Sequence, residues 1–164
     1  MPRLLILGGG FAGVMAALNA ADANDRHGGD IAITLVSATP YLTIRPRLYE
    51  RAPETLRTPL GPTLEPACID FVEAVARSID TASRIVEVED KLGWRSSLAY
   101  DRLILATGSE LKRPLAPGFA EHALDVDSYD GAVTFDRHLQ HVTTHSELPG
   151  STTFVIVGSG MTGV

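Results

Sequence analysis

The sequence predicts an α/β fold built on a parallel sheet, and three observations carry that expectation. The first is a set of short apolar runs with little alternation: "LLIL" at 4–7, "IAITLV" at 31–36 and "RLILAT" at 102–107. Strands of this kind must be covered on both faces, as the strands of a parallel sheet are. The second is the Ala-, Met- and Leu-rich stretch at 12–23, which reads as a helix between the first two runs. Strand, helix and strand make a βαβ unit of about thirty residues. The third is a glycine cluster, Gly8, Gly9, Gly10 and Gly13, at the junction of the first strand and the helix.

Each further element follows in order. "ANDRHGGD" stops the helix, with Gly28 and Gly29 suited to its end. Residues 37–66 form a Pro-rich connection (Pro40, Pro46, Pro53, Pro59, Pro62, Pro66), and a long irregular segment in a compact domain is usually functional if ordered. Short helical turns are expected at 47–51 and 60–65. Three β-rich runs, "IDFVEAVARSID", "RIVEVED" and "WRSSLAY", are separated by turn residues and predict an antiparallel meander. "DRLILATGS" is another buried strand, "KRPLAPG" a loop, and 128–145 a connecting helix ended by Leu148, Pro149 and Gly150. Residues 153–157 read as a new buried strand.

Composition narrows the function. At 164 residues, 45% hydrophobic and 21% charged, the chain has the make-up of a globular protein with a real core. A net charge of −6 and scattered arginines (Arg45, Arg47, Arg51, Arg57) provide no basic stripe, so nucleic acid is not an expected partner. The single cysteine, Cys68, excludes an internal disulfide, a CxxC pair and a cysteine-rich metal cage; it reads as small core filler. The N-terminus offers a basic residue, an apolar run and an Ala-x-Ala at Ala21 and Ala23, the make-up of a signal peptide. Against that reading, three glycines interrupt the apolar run, and the segment repeats: "LLILGGGFAGV" at 4–14 aligns with "FVIVGSGMTGV" at 154–164. A secretion signal is not repeated late in a chain. The segment is therefore read as mature structure, with no transmembrane stretch, in a cytoplasmic protein that touches a membrane at most peripherally.

The glycine cluster carries the chemistry. In a GxGxxG between strand and helix, the first glycine allows the tight turn. The second lets backbone approach a pyrophosphate, and the third permits close packing of helix on sheet. The diphosphate would lie on the helix N-terminus, where unpaired N–H groups favour negative charge. The alternative is a purely structural glycine turn. The same fingerprint predicts an acidic residue at the end of the second strand for the ribose hydroxyls. Here that position is Ser37, whose hydroxyl cannot give a bidentate grip.

Taken together, a GxGxxG unit at the N-terminus, a Pro-rich excursion, a meander, "YDRLILATGS" and a second GxGxxG about 150 residues on resemble the two-dinucleotide-binding-domain flavoproteins. The resemblance implies a Rossmann-like FAD-binding domain over 1–150, lacking its C-terminal return, and the first strand and glycine turn of an NAD(P)H-binding domain at 151–164. It implies FAD as cofactor and NAD(P)H as substrate. Implied cofactor contacts are Gly8, Gly10, Phe11, Ala12, Gly13, Ser37, Arg45, Val75, Ala106, Thr107 and Gly108, then Gly158, Gly160 and Gly163 for the second nucleotide. No cysteine stands at 40–59, so the disulfide-reductase subclass is excluded. "PYLTIRPRLYE" is similar to a segment of type II NADH dehydrogenases that lies beside the flavin, which makes Arg45, Pro46 and Glu50 flavin-proximal candidates; solvated loop charge is the alternative for Arg45 and Arg47.

The expected activity is hydride transfer from NAD(P)H to flavin and onward to an acceptor such as a quinone, chemistry that belongs to the cofactor. In the resembling enzymes the last strand of the FAD domain returns after the NAD(P)H domain, so the chain is expected to be truncated at the start of a second Rossmann unit. The alternative is a non-catalytic module that binds FAD or ADP. A competing constellation, His138, His141 and His145 on one helix face, lacks the glutamate of HExxH and reads as a solvated face; no metal is expected. Trp94, in a turn, reads as packing or surface.

Overall fold

The computed structural model describes residues 1–112, 115–144 and 153–158. By its contacts the chain forms two units: Met1–Leu42 with Thr58–Ser109, and Thr43–Arg57 with Glu110–Val164.

The first unit is built on a four-stranded parallel sheet. Its strands are β1 (Arg3–Leu7), β2 (Ala32–Ser37), β5 (Asp70–Glu73) and β9 (Arg102–Leu105), in the order β5-β2-β1-β9. The inner strands β1 and β2 are covered on both faces, which is why they do not alternate, whereas the buried strand expected at 102–107 is the edge strand β9, with Arg102 and Leu105 exposed. On one face Leu4, Ile6, Ile33, Leu35, Phe71 and Ile104 pack against helix α1 (Phe11–Arg26) and against Leu60, Leu64 and Ile69. On the other face Leu5, Leu7, Val36, Val72 and Leu103 pack against Ala74, Val86, Val88 and Tyr100.

Helix α1 buries Gly13, Val14, Ala17 and Ala21, residues three or four apart on one stripe. Small residues at 13, 17 and 21 let its backbone lie close to the sheet. The helix runs three residues beyond the expected end and stops in a Schellman motif. There Gly28, at φ +60, donates to the Asp25 carbonyl at 3.2 Å, and Gly29 donates to that of Asn24 at 2.8 Å.

The Pro-rich connection contains strands β3 (Tyr41–Thr43) and β4 (Arg57–Pro59), which pair with each other. It also holds 3₁₀ turns at Arg45–Arg47, Pro53–Leu56 and Glu65–Ala67 and the single-turn helix α2 (Gly61–Leu64). The expected turns at 47–51 and 60–65 are thus displaced or divided, because proline at the first positions of each turn sets where it starts. Cys68 is exposed, contrary to its reading as core filler. It closes a 3₁₀ turn in the left-handed region at φ +52, and the same turn seats Leu64 and Ile69 in the core while Cys68 faces outward.

The expected meander is present, but its first run divides. Asp70–Glu73 joins the parallel sheet as β5, and the antiparallel sheet consists of β6 (Val75–Asp80), β7 (Ile85–Glu89) and β8 (Arg95–Ala99). Ala74 is the hinge: it is buried, and its N–H donates to the Ser37 carbonyl at 2.9 Å, which ends the parallel ladder. A one-residue irregularity between Ala76 and Ser78 bends β6.

The second unit contains the Arg45–Arg47 and Pro53–Leu56 turns, the short helix α3 (Phe119–His122) and helix α4 (Tyr129–Thr144), which corresponds to the helix expected at 128–145. Leu48, Leu56 and Ala132 form its small core, flanked by Ile44 and Tyr129. Residues 153–157 are not a strand: they belong to no regular element, and Phe154, Val155, Ile156 and Val157 are 48–84% exposed. A buried strand needs hydrogen-bonded neighbours on its edges, and no strand among the described residues pairs with this one. The expected helix stop at Leu148, Pro149 and Gly150 lies outside the described residues.

Candidate nucleotide site

The glycine turn sits at the carboxyl end of the parallel sheet. In the order β5-β2-β1-β9 the chain moves outward from β1 in one direction and later returns to its other side with β9, so the topology switches beside β1. Open α/β sheets bind ligands in the crevice at such a point. The N–H of Gly8 donates to the Val36 carbonyl at 2.8 Å and that of Ala106 to the Leu7 carbonyl at 2.8 Å, so the turn is tied to the ends of both neighbouring strands.

Three of the four glycines in the turn have a structural reason, and each has a different one. Gly8 lies at φ +118, and a Cβ there would overlap the Ala106 carbonyl. A Cβ on Gly13 would overlap the Gly8 carbonyl, so this residue brings α1 onto the turn. At Gly9 a Cβ would stand 2.5 Å from Ser37 Oγ and 3.0 Å from Leu60 Cδ1. Gly10 is the exception. Its backbone is ordinary extended chain (φ −80, ψ −177), and a Cβ would meet no atom of the described residues within 4 Å, its chain neighbours aside. Nothing inside the protein requires glycine there, and the space it leaves opens onto the N-terminus of α1.

That N-terminus has no side-chain cap and no acidic residue in its first turn. The first intrahelical bond is donated by Val14 to the Gly10 carbonyl at 3.0 Å, which leaves the N–H groups of Phe11, Ala12 and Gly13 without acceptors in the helix. Phe11 and Ala12 are exposed. Backbone donors, a helix dipole and an empty approach over Gly10 together make an anion-binding cradle.

Ser37 ends β2 beside this cradle, only 9% exposed, and its Oγ accepts the Thr39 N–H at 3.4 Å. Ala106, Thr107 and Gly108 follow β9, with Thr107 and Gly108 exposed and Gly108 at φ +73. Val75 opens β6 and lines a hollow of about 470 Å³ with Ala38, Glu73, Lys91 and Gly93. Gly8, Gly10, Phe11, Ala12, Gly13, Ser37, Val75, Ala106, Thr107 and Gly108 therefore all belong to the first unit. Sequence reasoning placed Gly9 in the cluster without making it a contact, and it did not single out Glu73 or Lys91, which line the hollow; the signal for Glu73 was an acidic residue closing an apolar run.

The flavin-proximal candidates belong to the second unit and are engaged there. The Arg45 guanidinium donates to the Asp127 carboxylate at 2.6 Å and to the Asp127 carbonyl at 3.2 Å. Arg47 donates two hydrogen bonds of 2.7 Å to Glu50, and these hold the Glu50 carboxyl below its usual range. Pro46 is the middle residue of the 3₁₀ turn. Arg57 lies over the Tyr129 ring, 3.7 Å from its centroid. Gly158 is described, at φ +125, with open space where a Cβ would stand. Gly160, Gly163 and His145 lie outside the described residues. His138 and His141 are exposed on α4, and among the described residues no three His, Cys, Asp or Glu side chains form a metal-binding group. Trp94 is 73% exposed in the β7–β8 turn.

The sequence profile of the pyridine nucleotide-disulphide oxidoreductases matches residues 2–164. The chain belongs to this family. Its relatives include an NADH dehydrogenase-like protein of Mycobacterium tuberculosis, 40% identical over all of this chain and 41% of its own length. The demethylphylloquinone reductase of Synechocystis is 28% identical over 99% of this chain and 41% of its own. The chain thus spans about two fifths of the curated relatives it matches. Among solved structures, the sulfide:quinone oxidoreductase of Aquifex aeolicus superimposes with a TM-score of 0.71 at 27% identity, over 88% of this chain and 33% of that one. NDH2 of Plasmodium falciparum, in complex with NADH, gives 0.74 at 21% identity over 91% and 31%, and shows the shared fold. Among the described residues no helix is long and apolar enough to cross a membrane.

Proposed function

We propose that this chain is the FAD-binding part of an oxidoreductase that takes hydride from NAD(P)H and passes electrons to an acceptor such as a quinone. The observation that carries the reading is Gly10, a glycine with neither backbone nor packing need, whose missing side chain leaves room over three unpaired helix N–H groups. The donor set fits a diphosphate: the N–H groups and dipole of α1 receive its charge, while Gly8 and Gly13 hold the turn against β9 and α1. When bound, FAD supplies the hydride-accepting and electron-passing chemistry. The protein contributes binding and orientation through its backbone, at the glycine turn and at Ala106 to Gly108. Relatives with NADH dehydrogenase-like and quinone reductase names support this reaction class; a cytoplasmic, membrane-peripheral setting is part of the proposal.

A second reading is a nucleotide-binding module without turnover. It is favoured by residues 153–158, where the second glycine motif begins on exposed, unpaired chain. Calorimetric titration of FAD and ADP against the chain and its Gly10→Val variant tests the shared part. The variant keeps the far-UV circular dichroism of the parent, because its backbone suits any residue, and loses about a hundredfold in affinity, about 2.7 kcal/mol. Unchanged affinity would make the turn purely structural. Bleaching of the flavin band by NADH distinguishes the oxidoreductase from the module, which binds flavin and does not bleach.

A further inference from the structure

The site lacks the carboxylate that a dinucleotide fold ordinarily places at the end of its second strand, and the structure offers another one. Ser37 stands at that position, but its hydroxyl is buried, turned toward Gly9 and already accepting the Thr39 N–H. One such oxygen cannot receive the two vicinal hydroxyls of a ribose. Directly across the parallel ladder, in register with Ser37, is Glu73 at the end of β5. Adjacent strands lie about 4.8 Å apart, so the carboxylate has moved one strand along the same edge of the sheet. Its side chain is 34% exposed. It lines the hollow with Ala38, Val75 and Lys91, whose volume of about 470 Å³ falls in the range of small-molecule sites. Its partner there, the Lys91 ammonium, stands at 3.9 Å, beyond hydrogen-bond reach, so both carboxylate oxygens keep acceptor capacity.

We propose that Glu73 replaces the β2 carboxylate and holds the ribose hydroxyls of the adenosine, which lies in the hollow beside Ala38 and Val75. This rests on the diphosphate reading of Gly10. Ala38, the residue after Ser37, lines the same hollow as Glu73, so the hollow begins next to the end of β2. Glu73 is a specificity residue: it selects for a ligand with free vicinal hydroxyls.

The test compares ADP with 2′,3′-dideoxy-ADP by calorimetry on the chain, on Glu73→Gln and on Ser37→Ala. The parent is expected to prefer ADP by about tenfold, about 1.4 kcal/mol. Glu73→Gln narrows that preference to about threefold or less, while Ser37→Ala leaves it in place and so reports that the hydroxyl at 37 is not the ligand. If Glu73→Gln keeps the full preference, or if the preference disappears with Ser37→Ala instead, the assignment of Glu73 is overturned and the diphosphate reading stands. If the parent binds ADP and dideoxy-ADP equally, Glu73 is likewise excluded. If the parent binds neither nucleotide, the diphosphate reading falls, and this assignment falls with it.

Discussion

The same eleven-residue pattern occurs at 4–14 and at 154–164, and the first five residues of its two copies, 4–8 and 154–158, have opposite surroundings. Gly8 and Gly158 have similar φ angles, +118 and +125. Around Gly8 the Ala106 carbonyl occupies the place of a Cβ, whereas around Gly158 there is open space. Two residues earlier, Ile6 is fully buried between β2 and β9 and Ile156 is 70% exposed. A positive φ at the glycine is common to both copies. What separates the buried first copy from the exposed residues 154–157 is the presence of strands on either side, which tie its turn at Val36 and Leu7.

The largest effect that would break this comparison is a side chain at the first glycine. Gly8→Val combines a left-handed backbone with overlap of the Ala106 carbonyl, and is expected to lower the melting temperature by about 10 °C or more. Gly158→Val has only the backbone strain and should stay within about 2 °C of the parent by calorimetry. Equal losses at the two positions would show that the second copy is enclosed in solution.

A smaller effect sharpens the role of the neighbouring strands. Ile6→Ala should cost about 2–5 kcal/mol in denaturant unfolding, as expected for a well-packed core residue. Ile156→Ala, at the matching position, should remain within about 0.5 kcal/mol.

The smallest effect concerns how the first copy is anchored. The Asp101 carboxylate accepts the Arg3 N–H at 2.7 Å, with the Arg3 guanidinium 3.6 Å away, and the backbone hydrogen bond is the main reason its pKa lies below the usual carboxylate range. A carboxylate depressed in the folded state adds stability that is present above its unfolded value and is lost as pH falls through the lowered folded value. Asp101→Asn should therefore flatten the decline of stability below about pH 4. An acid titration of unfolding with the same slope as the parent would show that the anchor is electrostatically idle.

Much of this was readable from residues alone, and the reasons for success and failure are specific. The runs at 4–7 and 31–36 became the inner strands β1 and β2 because continuous apolar character admits no solvent face, whereas the run at 102–107 became an edge strand, β9, whose Leu105 is 64% exposed. Gly28 and Gly29 ended α1 because only glycine takes the left-handed cap without cost. The division of "IDFVEAVARSID" at Ala74 was not readable, since parallel and antiparallel strands draw on the same residue types, and the choice depended on a hydrogen bond to Ser37 thirty-seven positions away in the chain. Cys68 was misplaced because cysteine is usually buried, whereas here a left-handed turn faces it outward. The strand expected at 153–157 failed because apolar residues specify a need for burial without supplying what buries them.

By itself, then, the sequence determined the βαβ unit, the helix stop and the local glycine conformations, all of which follow from sterics and hydrophobicity over a few residues. Only the tertiary structure decided which glycine has no structural reason to be one. It also decided which carboxylate stands in register with Ser37 and that Ile6 is buried while Ile156 is exposed. Those outcomes depend on strand order and register, which bring Val36, Glu73 and Ala106 to one edge of the sheet from distant parts of the chain. Clash, register and enclosure are relations between atoms far apart in sequence, and no local pattern encodes them.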